Sequence, residues 1–165
     1  MAWTFFGKTF SERLVILLLV SLSLSVEAGC ASNNATGPYF QEAGSIISDK
    51  ASVYFYRPPS SGAPDRWSSR VYAWYDLIGE LDHGGYFVHY LKPGRYRISN
   101  TRKDVPDDIW LTVEAGHSYF IKLDYRSYGN FLVNRGGPQY TPYLKTVDDG
   151  EALEELKRCR LMVLK

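Results

Sequence analysis

From Ala51 onward the chain alternates between the two faces of extended strands. Ser52 to Arg57 ("SVYFYR") places Val53 and Phe55 on one face and Tyr54 and Tyr56 on the other. Pro58 and Pro59 stop it, since proline cannot donate to a sheet ladder, and "SSGAPDR" reads as a surface loop. "RVYAWYD" (Arg70 to Asp76) is a second strand, followed by turn chemistry in "DLIG" (Asp76 to Gly79) and a short "ELD". "YFVHYL" (Tyr86 to Leu91) is a third. "KPG" then puts Pro93 and Gly94 at the centre of a type II turn, so "LKPGRYRIS" reads as a hairpin with Tyr96 and Ile98 inward and Arg95 and Arg97 outward. "IWLTV" (Ile109 to Val113), "HSYFIKLDY" (His117 to Tyr125), a short strand at Phe131 to Asn134 and "YLKTV" (Tyr143 to Val147) complete the series.

The period changes at the C-terminus. Asp148 and Glu151 have the spacing of a capping box, and Ala152, Leu156 and Cys159 fall on one helical stripe with Leu153 beside them. Short strands punctuated by Gly and Pro, then one helix, predict an all-β fold: an antiparallel β-sandwich with a short C-terminal helix. Aromatic residues make up 15% of the 165-residue chain, which suits half-buried pleated surfaces. The formal net charge of +1 is spread along the chain and gives no footprint for nucleic acid.

The first residues read as an export leader, residues 1–29. Lys8 and Arg13 form a positive start, and Leu14 to Val26 is apolar apart from Ser21, Ser23 and Ser25. A membrane-spanning helix needs about 20 apolar residues, more than this run supplies. Two cleavages fit. "EAGC" (Glu27 to Cys30) resembles the lipobox of bacterial lipoproteins, in which the cysteine receives diacylglycerol and becomes the N-terminus. Glu27 departs from the aliphatic residue usual there. "VEA" (Val26 to Ala28) has the small-x-small form that an ordinary signal peptidase accepts. Lipidation at Cys30 would leave Cys159 as the one remaining thiol; otherwise a Cys30–Cys159 disulfide is open. By resemblance to Gram-negative sorting, Ala31 and Ser32 in place of Asp point to the outer membrane, with the domain facing the periplasm. Residues 30–50, small and polar, read as a lipidated N-terminus with a flexible tether, and residues 51–165 as the β-sandwich domain.

"ASVYFYRP", "IGEL", "GGYFVHYLKPGRYRIS", "VEAGHSYFIKL" and "EALEELKRCRL", in that order from Ala51 to about Met162, resemble a family of bacterial lipoproteins known as domain of unknown function 2846. The resemblance implies a lipid-anchored sandwich of the transthyretin or immunoglobulin type and implies no activity.

Candidate chemistry is sparse. His83, His89 and His117 match no metal-ligand spacing, and His89 is expected to pack within its strand. Asp104, Asp107 and Asp108 share a loop without the spacing or glycine of a calcium site. No nucleophile elbow and no phosphate loop occurs, so no catalytic, cofactor-binding or metal residue is assigned. Cys159, on the apolar stripe, is expected to be buried and unreactive.

The strand faces opposite the core carry aromatics among cations rather than Thr, Lys and Glu. Tyr54, Tyr56, Trp74, Trp110, Arg95 and Arg97 are therefore the residues of a partner-binding face, unless the rings cover loops and the opposing sheet. The function expected is a lipid-anchored cell-envelope module that binds or scaffolds, its partners being the membrane through the anchor and an envelope protein or glycan. The alternative is an envelope enzyme with a site assembled from loop carboxylates or histidines.

Overall fold

In a computed structural model of the chain, the described residues are 35–42, 48–61, 64–65, 67–103, 107–128 and 139–163. Among them, nine strands form two sheets. The first sheet joins β1 (Ala51–Tyr56), β4 (Gly85–Leu91), β7 (Ser118–Tyr128), β8 (Gln139–Val147) and the two-residue β9 (Arg160–Leu161), in the order β8-β7-β1-β4-β9. The second joins β2 (Ser69–Ala73), β3 (Asp76–Leu81), β5 (Gly94–Ser99) and β6 (Ile109–Val113), in the order β3-β2-β5-β6. One helix, α1 (Asp149–Leu156), follows β8.

The sandwich core lies where inward residues of both sheets meet. Val53, Phe55, Leu91, Ile121, Leu123 and Leu144 come from the first sheet, and Val71, Ala73, Leu81, Ile98, Leu111 and Val113 from the second. These are the residues that strand alternation puts inside. Phe55 stacks on Phe87 at 5.0 Å between ring centroids. Gly79 of β3 lies against the Phe87 ring, where a Cβ would overlap it, so the glycine permits the sheets to close at this point.

The first sheet is buried on both faces where α1 covers it, while Tyr90 and Tyr128 farther along the outer face are exposed. Its outer face carries Tyr54, Tyr56, Tyr86 and Phe120, and these pack under Ala152, Leu156 and Cys159 with Phe40 at the margin. Tyr54 and Phe120 stack at 5.1 Å, and Phe40 meets Tyr54 edge-on at 5.8 Å. Burying each such ring contributes about 2–3 kcal/mol, which is why a short helix suffices as a lid. Lys122 reaches from this face to the Glu155 carboxylate, and Tyr56 Oη donates to Glu155 Oε2 at 2.8 Å.

The all-β sandwich with one short C-terminal helix is as expected, and its mostly antiparallel sheets include two parallel pairs, β1 with β7 and β4 with β9. Several finer expectations need correction. After β4 the chain crosses into the second sheet for β5 and β6 and returns as β7 beside β1, in the same direction. "KPG" is accordingly no hairpin turn: β4 and β5 belong to different sheets, and Lys92–Pro93–Gly94 is the corner between them, with Gly94 at φ 155°. The β2–β3 turn is Trp74–Tyr75, and "DLIGEL" is a strand rather than a turn. Asp148 is the N-cap of α1 without a side-chain cap bond, and Glu151 faces Lys122 at 3.9 Å. The last strand starts earlier, at Gln139. Residues 35–40, placed in the tether by composition, dock along β9: Gly37 N–H donates to Leu161 O (3.0 Å) and Phe40 N–H to Cys159 O (3.0 Å). The strand expected at Phe131 to Asn134 lies outside the described residues.

Candidate functional site

The outer face of the second sheet is built on a row of three residues, Trp74, Arg97 and Trp110. Arg97 of β5 pairs across to Trp110 of β6, and Trp74 extends the β2 ladder by one residue: its N–H donates to Arg97 O at 2.7 Å. The guanidinium closes the loop from the other side, with Arg97 Nη2 donating to Trp74 O at 3.2 Å. Trp74 has φ 56°, a left-handed conformation that costs a bulky residue about 1–3 kcal/mol. Its two bonds to Arg97 hold it there. The Trp74 and Trp110 rings meet edge to face at 5.6 Å, leaning toward each other over the intervening strand. Arg97 itself is 3% exposed. Its guanidinium also lies over the Tyr75 ring (4.7 Å), pairs with Asp108 (3.4 Å) and donates to Arg102 O (3.4 Å).

A β-bulge widens this face. Val71 pairs with Gly79 but Tyr72 pairs with Leu77, which leaves Ile78 as the extra residue, directed at the core. Leu77 is thereby set on the outer face beside Tyr72. Trp74, Tyr75, Leu77 and Trp110 are 42%, 60%, 51% and 52% exposed, so half of the large exposed apolar side chains among the described residues lie on this face. Two more guanidinium groups lie over rings here, Arg95 on Trp110 (4.8 Å) and Arg102 on Tyr72 (5.7 Å). Toward the other end of the face an open groove of about 550 Å³ runs between Arg70, Tyr72, Glu80, Arg102 and Lys103. Arg70, Arg95, Arg102 and Lys103 have no carboxylate within ion-pair distance among the described residues. Rigid rings and stacked guanidinium groups offer large contact area with little conformational entropy to lose.

The six residues assigned to a partner-binding face do not share one surface. Trp74, Trp110, Arg95 and Arg97 belong to the second sheet, with Arg97 as the buried support. Tyr54 and Tyr56 belong to the first sheet beneath α1 and Phe40, where Tyr56 is fully buried. Burial and the Glu155 carboxylate push the Tyr56 hydroxyl far above the usual phenol range. Alternation gives parity within a strand but does not tell one sheet's outer face from the other's. Tyr72, Tyr75, Leu77 and Arg102 were missed. "RVYA" followed by "DLIGEL", two alternating runs two residues apart, was the signal that Trp74 and Tyr75 form a hairpin tip.

The remaining candidates are dispersed. His83 bonds to Pro59 O (2.9 Å) and Asp65 (2.9 Å), His89 lies opposite Val53 on β4, and His117 is in the turn before β7. Burial lowers the pKa of both His83 and His89. Asp107 pairs with Arg126 (2.8 Å) while Asp108 turns to Arg97, and Asp104 lies outside the described residues. Among the described residues no three His, Cys, Asp or Glu groups are placed to hold a metal ion. Cys159 is fully buried, its thiol pushed up to about 12 chiefly by burial. Cys30 lies outside the described residues.

Residues 47–137 match the family described as Protein of unknown function (DUF2846). The match spans β1 to β7 and stops before β8 and α1, so "EALEELKRCRL" falls beyond it. No curated protein and no solved structure matches the chain.

Proposed function

The chain belongs to the DUF2846 family, and from that premise we propose that it is a lipid-anchored module of the cell envelope that binds another envelope component on the outer face of its second sheet. The observation that carries the reading is the exposed cluster of Trp74, Tyr75, Leu77 and Trp110, held in shape by buried Arg97. Large exposed apolar groups gathered on one face mark interaction surfaces, and a left-handed tryptophan fixed from both sides is ordered before any partner arrives. The leader ending at "EAGC" supports the anchor, with Cys30 as the residue that carries it.

The test is a photoreactive phenylalanine analogue in place of Tyr75, in intact cells. An adduct of defined mass is expected, reduced at least tenfold by Trp74→Ala with Trp110→Ala while the melting temperature stays nearly constant. The same analogue at Tyr128, exposed at the far end of β7, should not give that adduct. An adduct that persists unchanged in the double variant would overturn the reading.

A further inference from the structure

We infer that the component met by this face is the bilayer itself: the outer face of the second sheet seats on an anionic phospholipid surface. Trp74, Tyr75, Leu77 and Trp110 enter the headgroup region, and Arg70, Arg95, Arg102 and Lys103 lie among the phosphates. The inference rests on the lipid-anchor reading and supplies what that reading leaves open.

Chain connectivity is the first observation. Ala35 is already 7% exposed and part of the sandwich core, and only five peptide bonds separate it from Cys30. Their contour is at most about 18 Å, so a lipid on Cys30 keeps some surface of the domain against the membrane.

Direction is the second. Residues 37–40 run antiparallel to β9, through the Tyr39–Arg160 bridge and the bond from Leu161 N–H to Pro38 O (2.9 Å). Since β9 is parallel to β4, this paired segment, followed back to Gly37, points toward the end of the sandwich where β4 finishes at Leu91. The Trp74–Tyr75 tip lies at that same end. β3 starts from the tip and runs back to the opposite end, where Asp82–Gly84 leads it into β4.

The chemistry of the face is the third. Tryptophan and tyrosine favour the headgroup region because each ring is apolar at one side and polar at the other, and lysine and arginine reach from there to phosphates. The face presents Trp74, Trp110 and Tyr75, with Tyr72 buried under Arg102, and four cations with no carboxylate within ion-pair distance among the described residues, Glu80 standing opposite Arg70, on a chain whose net charge is only +1. A neutral or cationic partner would leave those guanidinium groups uncompensated, whereas an anionic lipid surface attracts each of them.

The experiment uses protein purified from membranes and reconstituted into vesicles of phosphatidylcholine, with and without 30% phosphatidylglycerol (about one lipid in three, enough for a negative surface potential). Phosphatidylcholine carrying a doxyl spin label near the headgroup quenches nearby indole emission, and the mass of the N-terminal peptide reports whether Cys30 bears diacylglycerol. Quenching by about half is expected with phosphatidylglycerol, weaker without it or in high salt, and lost in Trp74→Phe with Trp110→Phe. A lipidated N-terminus with no doxyl quenching overturns the inference and leaves the anchor reading standing. Quenching without lipid on Cys30 supports the face and overturns the anchor. Shielding of the two tryptophans from iodide by polygalacturonate, by an acidic peptide or by a second copy, with no doxyl quenching, overturns the inference in favour of that occupant.

Discussion

Trp74 and Arg97 hold each other through two opposed hydrogen bonds. The Trp74 N–H donates to the Arg97 carbonyl at 2.7 Å, and the Arg97 guanidinium donates to the Trp74 carbonyl at 3.2 Å. The first bond continues the β2–β5 ladder past the last paired residue, Ala73. The second ties the turn's backbone to a side chain that is itself fixed by Asp108 and by the Tyr75 ring. One arginine therefore sets both the left-handed turn and the position of the exposed aromatics. The proposed surface and the stability of its turn meet at this residue.

Arg97→Ala should destabilise the domain by about 3 kcal/mol, because it leaves the Asp108 carboxylate buried without its cation and frees the Trp74 turn. Arg97→Lys should recover only part of this, since an ammonium cannot span Trp74 O and Asp108 as the planar fork does. Urea unfolding of the two variants measures both. Equal stability of Arg97→Ala and the parent would show that the clamp contributes nothing.

On the other sheet, Lys122, Tyr56 and Glu155 form a single unit beneath α1. Glu155→Ala should cost about 3 kcal/mol, because the largely buried Lys122 ammonium keeps only the exposed Glu151 carboxylate at 3.9 Å and Tyr56 Oη loses its acceptor, while Lys122→Met with Glu155→Leu should recover part of the loss. A double-mutant cycle by thermal unfolding gives the coupling. Additive single effects would mean that the pair is screened rather than coupled.

These two sites also show what was legible in the chain. Strand alternation identified the core residues from Val53 to Leu123 and the outward parity of Arg95, Arg97 and Trp110, because parity depends only on neighbours two apart. It did not reveal that "LKPG" is a corner between sheets. A proline-glycine pair in a hairpin and one in a corner have the same local chemistry, and only the distant partners of β4 and β5 differ. Nor did it reveal that Tyr54 and Tyr56 lie under a helix, since that depends on where α1 packs some hundred residues later. The bulge at Ile78 was hidden for a related reason: one extra residue reads as a break in alternation, and "DLIG" looked like a turn. Most of the proposed face is therefore visible as residue types, and its assembly is visible only in the fold.

The histidines give the fold a pH dependence. Burial lowers the pKa of His89 and of His83 from 6.5, so both stay neutral in the folded state at pH values where the unfolded chain binds a proton. The unfolded state then holds more protons below about pH 6.5, and stability must fall as the pH drops from there toward the folded-state values. Melting temperatures across pH 7.5 to 5 (about the range over which free histidine titrates) should decline, and less steeply in His89→Phe. A flat profile in the parent would contradict this burial.

Cys159 should be nearly inert in the folded protein. Its thiol is pushed up to about 12 by burial, and Sγ lies 3.6 Å from Glu155 O and 3.8 Å from Arg57 O. Iodoacetamide at pH 8 (where a free thiol near its usual pKa is about one-quarter ionised) should label it only after unfolding. Ending the chain before Asp148 removes Ala152, Leu156 and Cys159 from above Tyr56 and Phe120 and should destabilise the domain by several kcal/mol, about the loss of two or three buried side chains. Rapid native-state alkylation would place the thiol outside the core.

The central claim is that Trp74 and Trp110 form a pre-ordered, open binding surface, and iodide quenching of tryptophan emission tests it most directly. Trp67 packs against Tyr125 and Tyr140 beneath its loop and should be the more protected ring. In membrane-free protein, a large part of the emission should be quenched, and that part should vanish in Trp74→Phe with Trp110→Phe. Emission that resists iodide in the parent, or a quenchable part that survives in the double variant, would show that these rings are interior and that the face is not a site.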